Sequence, residues 1–354
     1  MKITIERGLL LKVLTHIQGV VERRNTIPIL SNVKFDAPDG QLSLNATDMD
    51  IDIVETIPAD VTSAGSATAP AHTLYDIVRK LPEGAQVELI CTGDDSQLTL
   101  SAGRSRFKLT CLPTEDFPVL SGGDLPNSFT LSAADLRGLI DRTRFAISTE
   151  ETRYYLNGIY LHAADNDGVQ VLRAVATDGH RLASVEIPLP DGAAGMPGVI
   201  VPRKAISEIR KLIDETEDEI AISLSDTKIK FAFEGTVLTS KLIDGTFPDY
   251  VRVIPENNEK VLEVETDVFA HAVDRVSAIS TEKSRAIKLT ITKGNLTLSA
   301  NNPDNDTATE EVPVDYDESE IEIGFNSRYL LDIVQQIEGD RARFTLADAA
   351  SPTL

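Results

Sequence analysis

The sequence predicts an α+β protein built from three copies of one domain, each with two helices packed on antiparallel sheets. Three observations predict it: the chain resembles itself at a period of about 125 to 130 residues, its strand-like segments alternate apolar and polar residues, and two amphipathic helical segments recur in every copy.

The period rests on landmarks. Leu44-Asn45-Ala46-Thr47-Asp48, Val175-Ala176-Thr177-Asp178 and Leu298-Ser299-Ala300-Asn301-Asn302 read as one strand end, their alanines 130 and then 124 residues apart. Helix ends at Leu81, Leu212 and Ile337 are offset by 131 and 125 residues, and Phe117-Pro118 returns as Phe247-Pro248 at 130. The domains are therefore 1–124, 125–256 and 257–354, joined near the Gly-containing run 121–127 and the polar run 255–260. The third is expected to be C-terminally incomplete, because the period of the first two would carry it past Leu354.

The strands come next in the argument. Gln41-Leu42-Ser43-Leu44, Lys228-Ile229-Lys230-Phe231-Ala232-Phe233 and Asn295-Leu296-Thr297-Leu298 alternate between faces and end at Gly, Asp or Asn turns. Strands with one wet face belong to antiparallel sheets covered by helices on a single side, not to a doubly wound parallel sheet.

The helices are predicted over 9–24, 72–80, 133–145, 203–213, 267–276 and 327–337. In the first, Leu10, Val13, Leu14, Ile17 and Val21 form an apolar stripe, with Lys12, His16 and Arg23 on other faces. Leu136, Leu139 and Ile140 face inward in the third while Arg137, Asp141 and Arg144 line up at i, i+4 and i+7. The fourth turns Ile206, Ile209 and Ile213 inward and Arg203, Ser207 and Arg210 outward. Arg79, Lys80, Arg275 and Arg328 are the basic residues of the others.

Charge follows this division. The six helical segments carry a net +6 against −28 for the rest of a chain whose total is −22. An acidic body with a basic helical lining would repel nucleic acid on one side and accept it on the other, through phosphate contacts that carry no sequence information.

Composition bounds the remainder. At 354 residues, 42% hydrophobic and 25% charged, the chain is a multi-domain globular protein. The opening MKITIERG places Lys2, Glu6 and Arg7 in a strand-like alternation, so no secretion signal is read there, and no window reaches the roughly 18 apolar residues of a membrane span. A cytoplasmic location and no membrane partner are expected. Cys91 and Cys111 have no CxxC partner and read as small hydrophobes, so no metal is expected.

The threefold repeat, together with Thr177-Asp178-Gly179-His180-Arg181-Leu182, Arg153-Tyr154-Tyr155-Leu156-Asn157-Gly158 and Phe247-Pro248-Asp249-Tyr250, closely resembles the β sliding clamps of bacterial DNA polymerase III, from residue 1 to the end. The resemblance implies the DNA-clamp fold, a head-to-tail homodimer closing into a ring, and a processivity factor around duplex DNA of any sequence. It implies partners as well: DNA polymerases, a clamp loader and repair proteins, captured as short linear peptides in a pocket between the second and third domains. Matching pocket positions are Leu156, Thr177, Gly179, His180, Arg181, Leu182, Pro248, Arg252 and Val253, with Asn326 and Tyr329 at the rim. Leu156, Leu182 and Val253 would supply an apolar floor, Arg181 and Arg252 donors to peptide carbonyls. The family's last strand and its terminal Met-Pro-Met-Arg-like residues, which contribute to that pocket, have no counterpart before Leu354.

For DNA, Arg24 and Arg203 match family positions, and the helix faces add Lys80, Arg137, Arg144, Arg210 and Arg275. For the dimer, basic Arg104, Arg106 and Lys108 alternate with Phe107 and Leu109, and copy three offers acidic Asp304, Asp306, Glu310 and Glu311 with apolar Ala278 and Ile279. Complementary charge sets head against tail.

Catalytic readings are weak beside this. Asp178-Gly179-His180 would offer a general base, yet there is no GxSxG, HExxH or GxxxxGK[ST] motif. His180 reads as a turn residue shaping a pocket wall, and the acidic run Asp214-Glu215-Thr216-Glu217-Asp218-Glu219 as a solvated loop. No cofactor and no catalytic residue are expected. A protein-interaction scaffold that never meets DNA would explain the pocket but not the basic helix faces.

Overall fold

The computed structural model describes residues 1–23, 25–92, 96–120, 123–280 and 285–354, in two bodies, Met1–Gly245 and Thr246–Leu354. Residues 121 and 122 of the first domain join therefore lie outside the described residues.

The first copy runs β1 (Lys2–Glu6), α1 (Arg7–Ile17), β2 (Asn32–Ala37), β3 (Gln41–Thr47), β4 (Ile51–Pro58), β5 (Asp60–Ser63), β6 (Gly65–Pro70), α2 (Ala71–Val78), β7 (Gln86–Ile90), β8 (Gln97–Ala102) and β9 (Ser105–Thr110). The second repeats the order with four strands rather than five between its helices, as β10 (Asn127–Ser132), α3 (Ala133–Asp141), β11 (Gly158–Asn166), β12 (Val169–Thr177), β13 (Leu182–Pro188), β14 (Val199–Pro202), α4 (Arg203–Leu212), β15 (Glu219–Leu224), β16 (Lys228–Phe233) and β17 (Thr236–Lys241). In the third come β18 (Lys260–Glu265), α5 (Thr266–Ser277), β19 (Ala286–Thr292), β20 (Asn295–Asn301), β21 (Thr307–Pro313), β22 (Ile321–Asn326), α6 (Ser327–Val334) and β23 (Arg341–Leu346). The three alanines of the repeat sit near the ends of β3, β12 and β20.

The ladders are antiparallel. The first body holds sheets ordered β5-β1-β7-β8-β9, β10-β15-β16-β17-β4-β3-β2-β6 and β13-β12-β11-β14; the second holds β18-β23 and β21-β20-β19-β22. The eight-stranded sheet unites copies one and two, since β17 pairs with β4 from Thr236↔Glu55 to Ser240↔Ile51.

Helix stripes and inward strand positions form the cores. Leu10, Val13, Leu14, Ile17 and Val21 are buried, as are Leu136, Leu139, Ile140, Ile206, Ile209 and Ile213. Each such side chain contributes about 1.5–3 kcal/mol. In the second body Phe269, Val273, Leu289, Leu298 and Leu330 do the same.

Helix ends differ from the periodicity. α1 starts at Arg7, where Glu6 accepts from the Leu9 amide at 3.0 Å, and stops at Ile17, so Arg23 lies beyond it. Just beyond this end the chain packs closely on α4: a Cβ on Gly19 would fall inside the contact shell of the buried Glu208 carboxylate. α3 ends at Asp141, because Thr143 turns its hydroxyl back to the Leu139 carbonyl at 2.6 Å, and Arg144 follows on a separate 3-10 turn.

Copies one and two also exchange lysines. Lys204 of α4 reaches Asp48 at 2.5 Å and the Val20 carbonyl at 3.2 Å, while Lys12 of α1 reaches Glu215 at 3.0 Å. No helix among the described residues is long and apolar enough to cross a membrane. The two cysteines are not joined in a disulfide and are half-buried against the first core, rather than fully buried as small hydrophobes would be.

Candidate functional site

The peptide-site candidates of the first body gather on the tip of the β12–β13 hairpin and the segment facing it. Thr177↔Leu182 is the last pair of the ladder, leaving residues 178–181 to make the turn. Side chains build that turn. Asp178 Oδ1 accepts from the His180 amide at 2.9 Å and the Arg181 amide at 3.0 Å, and Thr177 donates its hydroxyl to the Arg181 carbonyl at 2.7 Å while accepting from the Gly179 amide at 3.1 Å. Gly179 needs its lack of a side chain, having φ +86° and Arg153 Nη1 only 2.5 Å from where a Cβ would stand.

Arg181 differs from the outward donor role given to it from the sequence. Its Nε donates to Asp178 Oδ2 at 3.1 Å, its Nη2 to the Phe145 carbonyl at 2.5 Å, and its guanidinium lies 5.2 Å from the Phe145 ring centroid. The side chain is 13% exposed. Leu156 is buried, Leu182 half-buried, and His180 exposed on the turn. Tyr154, 54% exposed, stands edge-on to Tyr155 beside them.

In the second body Pro248, Arg252 and Val253 surround a 3-10 turn (Tyr250–Val253) anchored by buried Phe247 and Tyr250. Val253 is 62% exposed, so it is an open apolar surface rather than a floor, and Arg252 rests on Asp249 at 2.7 Å. Asn326 caps α6, accepting from the Arg328 amide at 3.0 Å, and Tyr329 is half-buried on that helix.

The cations proposed from the helix faces divide into two groups. Arg137 donates to the Ile213 and Thr216 carbonyls at 2.7 and 2.8 Å and pairs with Glu217, so it closes the C-terminal end of α4. Arg210 binds both Asp141 and Asp214 at 2.8 Å, Arg144 pairs with Asp141 at 3.0 Å, and Arg275 grips Glu310 through two nitrogens. The Arg210 and Arg275 guanidiniums hold the Asp214 and Glu310 carboxyls below the usual carboxylate range, and the Lys12 ammonium does the same for Glu215. The acidic run after α4 is thus a set of counter-ions, not only a solvated loop. Arg210 is only four residues from Asp214, but Lys12 and Arg137, the partners of Glu215 and Glu217, lie about 200 and 80 residues away in sequence, which is why the pattern hid them.

Arg203 and Lys80 form the other group: exposed, with no ion pair among the described residues. Arg203 opens α4 beside Pro202, which gives the helix no side-chain cap, and lines an open groove of about 460 Å³ with Ser148, Thr149, Asn157, Lys204 and Ser207. Uncapped amides, a guanidinium and hydroxyls make this an anion-accepting surface. The neighbours Ser148, Thr149 and Ser207 escaped sequence reasoning, since nothing in their spacing links them. Arg24 lies outside the described residues.

The remaining candidates sit on sheet edges. β9 is an edge strand, with Arg106 and Lys108 exposed, Phe107 half-buried and Leu109 buried. Arg104 lies in the hairpin turn after Gly103 rather than on the strand. β21 is an edge in the second body; Asp304 and Asp306 are exposed in the turn before it, held by Asn302, which accepts from both amides at 3.0 and 2.9 Å. Ala278 is exposed and Ile279 half-buried just past α5.

The chain matches the family models of the DNA polymerase III beta subunit: its N-terminal domain over residues 1–121, central domain over 130–249 and C-terminal domain over 251–354. The beta sliding clamp of Caulobacter vibrioides is 56% identical over 354 residues, covering 100% of this chain and 95% of the relative; that of Pseudomonas aeruginosa is 41% identical with the same coverage. Among solved structures, a C. crescentus beta sliding clamp superposes with a TM-score of 0.98 at 56% identity, covering 100% of this chain and 94% of the other. A Bartonella birtlesii sliding clamp bound to griselimycin gives 0.96 at 51%, again covering 100% and 94%.

Proposed function

The chain belongs to the DNA polymerase III beta subunit family, and from that premise we propose how its surfaces serve a sliding clamp. It is a processivity factor that encircles duplex DNA and tethers polymerases, with no catalytic site of its own. Full-length identity to clamps across three matched domains carries this reading.

DNA is held through its phosphates, without regard to sequence. The groove at the start of α4 takes a backbone phosphate: Arg203 supplies the charge, the helix end its amides, and Ser148, Thr149 and Ser207 their hydroxyls. Lys80 adds a second contact, and Arg24 a third.

Partner proteins are captured as short apolar peptides: Leu156, Thr177, Gly179, His180 and Leu182 are the contact positions of the first body, and Pro248, Arg252, Val253, Asn326 and Tyr329, taken by themselves, those of the second. Two chains assemble head to tail, the basic edge of β9 in one protomer extending onto the acidic edge of β21 in its partner. Such pairing would satisfy two rows of backbone groups left open within each body.

Retention on circular plasmid after loading, with release when the plasmid is linearised, tests the function, because only a topological link depends on free ends. Equal retention on both forms would refute it.

A further inference from the structure

We propose that Asp178, which lies outside the candidate set, is the positioning residue of the peptide site: acting through Arg181 and Phe145, its carboxylate sets the hairpin tip against the Leu156 wall. This rests on the peptide-site reading above.

Hydrogen bonds, joined by the chain from Phe145 to Ser148, form a continuous path. Both oxygens of Asp178 are engaged, Oδ1 by two backbone amides of the turn and Oδ2 by Arg181 Nε. Arg181 then crosses to the Phe145 carbonyl and lies over its ring. Three residues on, the Ser148 amide donates to the Leu156 carbonyl at 3.1 Å. Asp178, Arg181, Phe145, Ser148 and Leu156 thus link the wall carrying Gly179, His180 and Leu182 to the wall carrying Leu156.

Burial decides the role of Arg181. Exposed by 13%, with one face on an aromatic ring and two nitrogens committed, it is part of the frame rather than a donor to incoming peptide. Removing the Asp178 carboxylate would leave the His180 and Arg181 amides and the guanidinium without their acceptor, and the hairpin tip would lose its fixed shape. Shape matters here because a bound peptide gains affinity from a surface already ordered.

Griselimycin, bound in relatives' structures, is the probe, titrated calorimetrically into the full chain. D178A should weaken binding about tenfold under conditions where urea titration shows the variant still fully folded. D178N keeps the shape and an acceptor for the two amides but loses the charge opposite Arg181, so it should fall between D178A and the natural chain. Adding R181A to D178A should cause no further loss, since both act in one path. Wild-type affinity in D178A, alongside loss in L182A, would overturn the proposal; should D178A not fold, wild-type affinity in D178N would do so. If L156A and L182A also bind as the natural chain does, the peptide-site reading falls with it.

Discussion

Replacing Asp52 with asparagine should make the protein more stable than the natural chain at pH 8. Asp52 lies on β4 where the sheet passes from copy one to copy two, facing Thr47 on β3 and Thr239 on β17. It is 8% exposed, and Asn45 is its diagonal neighbour on the same face. Asp52 Oδ1 and Asn45 Oδ1 are both buried without a partner. A single proton on Asp52 Oδ1, donated to Asn45 Oδ1, would satisfy both. Burial accordingly pushes the carboxyl up from 3.8 to about 6, against the opposing hydrogen bond from Asn45.

A carboxyl whose folded value is raised favours folding only while protonated. Its contribution is whole below the unfolded value near 3.8, is lost as pH rises through about 6, and is absent above that. The rise of about two units corresponds to about 3 kcal/mol, of which roughly 1.4 kcal/mol is lost between about pH 5 and pH 8. That window lies above the isoelectric point of about 4.6. Asparagine carries a permanent N–H donor in place of the proton and titrates nothing. Urea unfolding of both proteins at about pH 5 and pH 8 should show the gap in favour of D52N widening by about 1.4 kcal/mol, towards about 3 kcal/mol at the upper pH. A gap that stays constant, or a variant less stable at pH 8, would refute the reasoning.

Other substitutions test the packing and the seams. Gly19→Ala should cost about 1–3 kcal/mol by urea unfolding, because the buried Glu208 carboxylate must move, and Glu208→Ala in the same chain should recover part of it. Arg137→Ala strips two carbonyls at the end of α4 of their donor and should cost about 2 kcal/mol, with Arg137→Lys only a partial substitute because one ammonium cannot reproduce the fork. Reversing charge on the β9 edge with R106E and K108E should shift sedimentation from dimer towards monomer; an unchanged dimer would exclude that edge from the interface.

What the sequence revealed follows from what is periodic. The three copies, their strand–helix order and the stripes led by Leu10, Leu136 and Ile206 were legible because burial of one face repeats at the period of the element. Helix ends were not: α1 stops at Ile17 although the apolar pattern runs on to Val21. The ion pairs were hidden by distance along the chain: Arg137 and Glu217 are 80 positions apart, Lys204 and Asp48 156. His180 was legible as a turn residue, and the candidate set passed over Asp178 because only the three-dimensional path to Phe145 reveals its place.

Pairing among the helix cations bears directly on how an acidic chain can move along DNA. A cation with a carboxylate at about 3 Å acts at a distance as a dipole, so Arg137, Arg144, Arg210 and Arg275 contribute little to attracting phosphate. Arg203 and Lys80 have no such partner among the described residues, and Arg24 would make a third contact. Each phosphate neutralised adds about 0.9 to the slope of log affinity against log salt. Binding of a short fluorescent duplex should therefore follow a slope of about 2 to 3 per chain, against about 6 if all seven candidates met phosphates. The smaller value suits a clamp that must hold DNA by topology and slide past each phosphate at low cost; a slope near 6 would mean that the internal pairs open to meet DNA.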